Sequence, residues 1–430
     1  MGVKDTANLA LIPAAYKTSK VYSALPTDGD GDFTFTRSGS GTRINKAGLI
    51  ETMATNVSRL NYRLDADGTV SSCPELLLEP SRQNKVFPNT SITGYSINNG
   101  TATNNQITAP DGTNTGALIT KTSSSTTVIF KGFTGTSGVT HNISAFLKAG
   151  NHSSVKLQEG FAGAYVEIDL AEGSVGSTQN ASNVKVQKHP NDWYRVSFDF
   201  TSASTNLQFS VYIEDTTATG KTFYLWGGQI EQGSGVTSLI PTTSGAITRN
   251  IDSANKTSFA DLPNDYPITV LWKGTVDNYD SSGFTTQVPF SLVHSGNFNT
   301  YLSINFYSET QLTLRRRNTT DTSVFIAYPT SLKSTHKIAI AFINSTTVKM
   351  YIDGVEILNS ASLTSVPYSA TDTIDSVLVG QLRDNADTGK RNSADELFIW
   401  NKTLTDAEMV EVTSYTSFTE MATQQQYTIQ

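Results

Sequence analysis

From residue 125 onward apolar and polar positions alternate with period two. The strings "STTVIFKGF", "THNISAFLKA", "SVKLQEG", "AYVEIDLAEGSV", "WYRVSFDFTS", "LQFSVYIEDT" and "TFYLWGGQIEQG" follow one another, each closed by Gly, Asn, Asp, Thr or Ser. Period two sends successive side chains to opposite faces, so each string predicts a half-buried strand. A second series runs from "PITVLWKGTVD" through "YLSINFYSE", "QLTLRRRN", "HKIAIAFINS" and "TVKMYIDGVEIL" to "SVLVGQL". This cadence of short strands and turns predicts two antiparallel sandwiches or jelly rolls in tandem. Only "SADELFIWNKTLTDAEMVEVTSYTSF" changes period: Thr405 is an N-cap with Glu408 three residues on, and Leu404 and Met409 pack beneath a short helix. Ahead of both series, Leu76, Leu77 and Leu78 lie between Pro74 and Pro80, which confines them to a short buried strand. The expected fold is all-β: a small β-rich leader (1–84), a jelly roll (85–250), a second sandwich (251–416) with one short helix, and a polar tail (417–430).

One stretch tests for metal chemistry. In "PTDGDGDFTFTR", Asp28, Asp30 and Asp32 occupy alternate positions as in a calcium loop. Such a loop needs Gly at its sixth position and Glu at its twelfth, where this chain has Phe33 and Gly39. The stretch therefore predicts an acidic turn leading into the alternating strand "FTFT".

Composition narrows the partners. The chain has 430 residues, 16% charged and 10% aromatic, with a net charge of −7, and no long basic run of the sort that tracks a nucleic-acid backbone. "LRRRN" (314–318) reads as a solvated strand, with Arg315 and Arg317 on one face and Arg316 on the other. The single cysteine, Cys73, excludes an intrachain disulfide and fits assembly in a reducing cytosol. No apolar run reaches membrane length and the N-terminus lacks a signal-peptide core, so neither membrane insertion nor nucleic-acid binding is expected.

"VYSALPTDGDGDFTFTRSGSGTRINKAGLIE" followed by "LLLEPSRQN" closely resembles a leader region of bacteriophage tail and other virion structural proteins, over most of residues 9–87. It departs from that pattern at Ser38-Gly39-Ser40 and at Lys85. "PDGTNTGALIT", "WYRVSFDFT" and "YLWGGQIEQGSGVTSLIPTTSGAITRNID" resemble the jelly roll that follows the leader in such proteins, itself similar to carbohydrate-binding modules. "KMYIDGVEI", turning at Asp353-Gly354, and "DELFIWNKTLTDAEM" resemble a concanavalin A-like, laminin-G-type lectin domain. These resemblances imply a virion surface protein assembled in the host cytoplasm, joined to other virion proteins through its N-terminal region, and a homotrimer. No sustained heptads announce a coiled-coil stem.

Three functions remain open: a fibre or adhesin binding host-surface glycans, a capsid-decorating or purely structural protein, and a polysaccharide depolymerase. The last needs two carboxylates about 5–10 Å apart. Glu167 and Asp169 share a strand face at that spacing, while Asp395 and Glu396, as neighbours, point to opposite faces. No G-x-S-x-G elbow or histidine cluster is present, and the expectation is a non-enzyme without a cofactor. Sugars stack on aromatic faces ringed by polar groups, so the candidate glycan-binding residues are Tyr165, Trp193, Tyr212, Tyr279, Phe298, Tyr301 and Asn385. Three polar loops of the second sandwich, 277–284, 294–301 and 382–393, are placed to carry function. In the last of them Asp384 and Asp387, with Asn385 and Asn392, offer oxygens to calcium, the one metal considered.

Overall fold

The computed structural model describes residues 2–262, 266–276, 287–317, 321–344, 346–362, 374–381 and 392–415. Among the described residues, four antiparallel sheets of eight, nine, six and six strands carry the fold. They stack in two pairs around two separate cores, as the alternation requires.

The first pair draws on both ends of the chain. Strand Asn392–Trp400 pairs with Ile268–Val276 along one edge and with Glu75–Leu78 and Leu9–Leu11 along the other. In the facing sheet Phe33–Thr36 pairs with Ser253–Lys256, which pairs in turn with Ser376–Val379. Residues expected to stand as a leader ahead of the sandwich are thus strands within it. "FTFT" buries Phe33 and Phe35 and exposes Thr34 and Thr36; each fully buried ring contributes ~1.5–3 kcal/mol.

The jelly roll is consequently an insertion. Strand Arg82–Asn84, where the chain leaves the sandwich, pairs with Ile247–Arg249, where it returns. Its two six-stranded sheets enclose a core containing Ile143, Leu157, Val196, Phe198 and Phe209.

A buried ionic network closes this neck. Asp252 accepts from Arg37 Nη1 at 3.1 Å, from Arg59 Nη2, and from the Glu79 backbone N–H at 2.9 Å. Glu79 accepts from Arg59 Nη1 at 2.5 Å and lies 3.1 Å from Arg249 Nη1. All five side chains are essentially excluded from solvent. Arg37 of "FTFTR", Glu79 of "LLLEP", and Arg249 and Asp252 of "AITRNID" therefore meet one another.

Local predictions fare well where they rest on local chemistry. Thr405 and Glu408 form the reciprocal cap of helix Asp406–Ser414, and Leu404 and Met409 are buried beneath it. Asp353 and Gly354 take φ of +50° and +84° in the hairpin between Thr347–Ile352 and Val355–Ser362, the double positive φ that a two-residue turn demands. The acidic stretch is a turn: Asp28 accepts from the Asp30 N–H, Asp32 from Lys20 and the Ser23 N–H, and Asp30 pairs with Lys256. Arg316 departs from expectation, for it is buried with its guanidinium 5.4 Å over the Tyr266 ring.

Candidate functional site

The sheet of the jelly roll that carries Ser154–Glu159 presents an outer face built by register. Lys156 stands opposite Tyr212 on one side and Glu167 on the other, and Tyr212 opposite Val128. One row down, Gln158 stands between Ser210 and Tyr165, with Phe130 beyond Ser210. Residues directly opposite in a ladder share a face. Half-buried Tyr212, Tyr165, Phe130 and Val128 are thus interleaved with Lys156, Gln158 and Glu167.

Lys156 organises this face. Its ammonium lies 4.9 Å from the Tyr165 ring centre and 4.8 Å from that of Tyr212, and it pairs with Glu214. Two aromatic faces so close to amide and carboxylate groups offer both halves of sugar recognition, apolar stacking and directed hydrogen bonds. Tyr165 and Tyr212, 47 positions apart in sequence, are brought together here. Lys156, Phe130, Gln158 and Glu214 were missed; alternation in "SVKLQEG" puts Lys156 and Gln158 on one face, but only strand pairing sets them beside the tyrosines.

The remaining candidates divide. Trp193 is fully buried against Phe146, Trp226 and Leu239 and donates Nε1–H to the Thr108 carbonyl at 3.0 Å; Tyr301 is buried with Val293 and Leu378. Neither ring is open to a sugar, because each points into a packed layer. Tyr279, Asp384, Asn385 and Asp387, with the loops 277–284 and 382–391, lie outside the described residues, as does the side chain of Phe298. Asn392 is buried in strand Asn392–Trp400 opposite Leu78. Among the described residues no three His, Cys, Asp or Glu side chains converge as a metal site.

The carboxylates are informative. A Ser177 hydroxyl donating at 2.6 Å lowers the pKa of Glu167, and the Ala171 N–H does the same for Asp169. Both shifts run opposite to that of a glycosidase's general acid, whose pKa is raised. Asp395 and Glu396 correct the alternation argument. A β-bulge pairs Lys273 with Glu396 but Gly274 with Ala394, leaving Asp395 as the extra residue. Both carboxylates consequently face Lys273, at 3.6 and 3.7 Å. Gly274 permits the bulge, since a Cβ there would stand 2.0 Å from the Ser393 carbonyl oxygen.

Burial, with Glu75 and Glu396 nearby, raises the Asp395 pKa from 3.8 to about 6 against the pull of Arg63 and Lys273. Between those values the folded protein holds the proton that the unfolded chain has lost, so this group's contribution to stability is full below pH 3.8 and declines as pH rises through 6. Asp395→Asn should remove the decline. Urea unfolding between about pH 4 and pH 7 is expected to show the variant gaining on the native protein as pH rises; parallel curves would refute the assignment.

No family model matches the chain, and no curated protein matches it. Among solved structures it is similar to the CBM40 module of the Ruminococcus gnavus IT-sialidase, at 14% identity and a TM-score of 0.30, over 35% of this chain and 84% of that one. Similarity extends to the NanB sialidase of Streptococcus pneumoniae, at 21% identity and a TM-score of 0.29, over 36% of this chain and 25% of that one. A SAP-like pentraxin of Limulus polyphemus matches at 17% identity and a TM-score of 0.28, over 36% of this chain and 72% of that one.

Proposed function

We propose that this is a non-catalytic virion surface protein of the fibre or adhesin type, whose inserted jelly roll binds host-surface glycans through the Tyr165, Lys156 and Tyr212 face. The observation that carries the glycan reading is the pair of tyrosine rings bridged by one ammonium and flanked by Gln158, Glu167 and Glu214. The virion setting rests on the motif resemblance of residues 9–87. Other virion proteins are the partners of the N-terminal region, which meets them through its loops, because its motif side chains are spent on the neck. Weak sugar sites suffice on a particle, where many copies, here trimers, raise effective affinity by ~10²–10⁴.

Binding of the full chain to intact host cells and to their extracted surface polysaccharide tests this, with reducing ends assayed in the same tubes. Saturable binding without new reducing ends is expected, and Tyr212→Ala should weaken it about tenfold, or ~1.4 kcal/mol. A thermal midpoint close to native would show that the loss belongs to the face. Binding unchanged in both Tyr212→Ala and Tyr165→Ala would sink this site. Absence of all binding would favour the capsid-decorating role, and new reducing ends a depolymerase. Light scattering on the eluting protein tests the trimer, and a monomer at micromolar concentration would count against it.

A further inference from the structure

The inserted jelly roll does not sit flush on the sandwich. Where they meet, a cleft of about 620 Å³ opens between strands Thr140–Ala149, Ser182–His189 and Trp193–Thr201 on one side and Gly41–Ile44, Leu60–Asn61 and Glu75–Leu78 on the other. We propose that this cleft is a second ligand site, built for an anionic saccharide. The assignment does not depend on the tyrosine face, which lies on the other sheet of the jelly roll.

The volume falls within the ~300–1,000 Å³ of small-ligand pockets. The two walls also differ in charge. The jelly-roll wall brings Lys185, His189 and Arg195 to the cleft and no carboxylate. Facing it, Arg43 and Arg63 line the cleft along with Asp65 and Glu75. Arg43 pairs with Glu51, and Arg63 with Glu75 and Asp395, so the carboxylates that line the cleft all stand on the sandwich side.

The jelly-roll wall is also preorganised. The Arg195 guanidinium lies 5.2 Å over the Phe146 ring, and its Nη2 donates to the Ser144 hydroxyl at 3.2 Å. This fixes the plane of a group suited to gripping a carboxylate or phosphate. Against the same Phe146 ring, edge-on at 5.0 Å, stands His189. It is 4% exposed and its Nδ1 has no hydrogen-bond partner. Burial and the Arg195 charge push its pKa down to about 3, so the imidazole is neutral. A neutral imidazole lining the cleft, with its Nδ1 unpartnered, can donate to or accept from a sugar hydroxyl while Arg195 holds the acid group. Apolar Ile44, Leu64, Leu77 and Leu239 also line the cleft and suit the C–H faces of a sugar ring.

Calorimetric titration of the full chain tests the site with three probes: a glucuronate-containing disaccharide, glucose 6-phosphate and neutral cellobiose. At least one anionic probe is expected to bind about tenfold more tightly than cellobiose, and more weakly as salt is added. Uronate alone would identify a carboxylate ligand, and the phosphosugar alone a phosphate ligand. Lys185→Glu, on a half-exposed edge-strand residue, should reduce that affinity about tenfold or more, while Tyr212→Ala leaves it unchanged. Arg195→Lys keeps the charge without the planar fork and should weaken binding as well. The proposal is overturned if neither anionic probe binds by ~10 mM, if cellobiose binds as well, or if both cleft variants bind like the native protein.

Discussion

Replacing Asp252 by alanine should cost about 3–5 kcal/mol of stability, the usual penalty for removing one partner of a buried ion pair. Asp252 is the anion that Arg37 and Arg59 share, and it also receives the Glu79 N–H. Without it three buried guanidinium groups, of Arg37, Arg59 and Arg249, are left with Glu79 as the remaining carboxylate of the network. Bringing those charges out of water would no longer be compensated. The penalty should fall on the sandwich, since Asp252 immediately precedes the strand Ser253–Lys256 that pairs with Phe33–Thr36. Urea unfolding followed by tryptophan fluorescence measures it. A loss below about 1 kcal/mol would mean that the network is solvated and contributes as little as surface pairs do. A hydrophobic replacement of both Arg59 and Asp252 should be milder than Asp252→Ala alone, because it removes the charges together.

Trp193→Ala is expected to cost a similar amount, about 3–5 kcal/mol, but in the jelly roll. The indole is fully buried against Phe146, Trp226 and Leu239, and its N–H satisfies the Thr108 carbonyl. Truncation leaves a cavity and an unpaired acceptor, two costs that add. Trp193→Phe, which retains most of the packing, should lose far less. Polysaccharide binding by the fraction still folded should keep its native affinity, in contrast to Tyr212→Ala, which is expected to change affinity with little change in stability. If Trp193→Phe abolished binding while the thermal midpoint stayed near native, the indole would be a ligand platform after all.

Several features were legible before any tertiary information. Thr405 and Glu408 announce the helix cap because capping is a contact over three residues. Asp353-Gly354 announces its turn because positive φ is a property of two residues. Alternation in "FTFT" and "AYVEID" names the buried face of each strand, as Phe33, Phe35, Val166 and Ile168 bear out. Where alternation breaks, the same reasoning misleads: the bulge at Asp395 turns two expected opposites into neighbours of one lysine.

Sequence alone determined the all-β character, the strand faces, the turns and the residue types suited to sugars, since these depend on each residue and its immediate neighbours. Tertiary structure decided which strands pair. It placed Leu9–Leu11, Phe33–Thr36 and Glu75–Leu78 inside the second sandwich, made the jelly roll an insertion, gathered Arg37, Arg59, Glu79, Arg249 and Asp252 at its neck, and set Tyr165 beside Tyr212. The physical reason is that a strand's pattern specifies a face to bury but carries no address for its partner. Pairing is settled by the joint packing of segments hundreds of residues apart, as Leu9 opposite Ile399 illustrates.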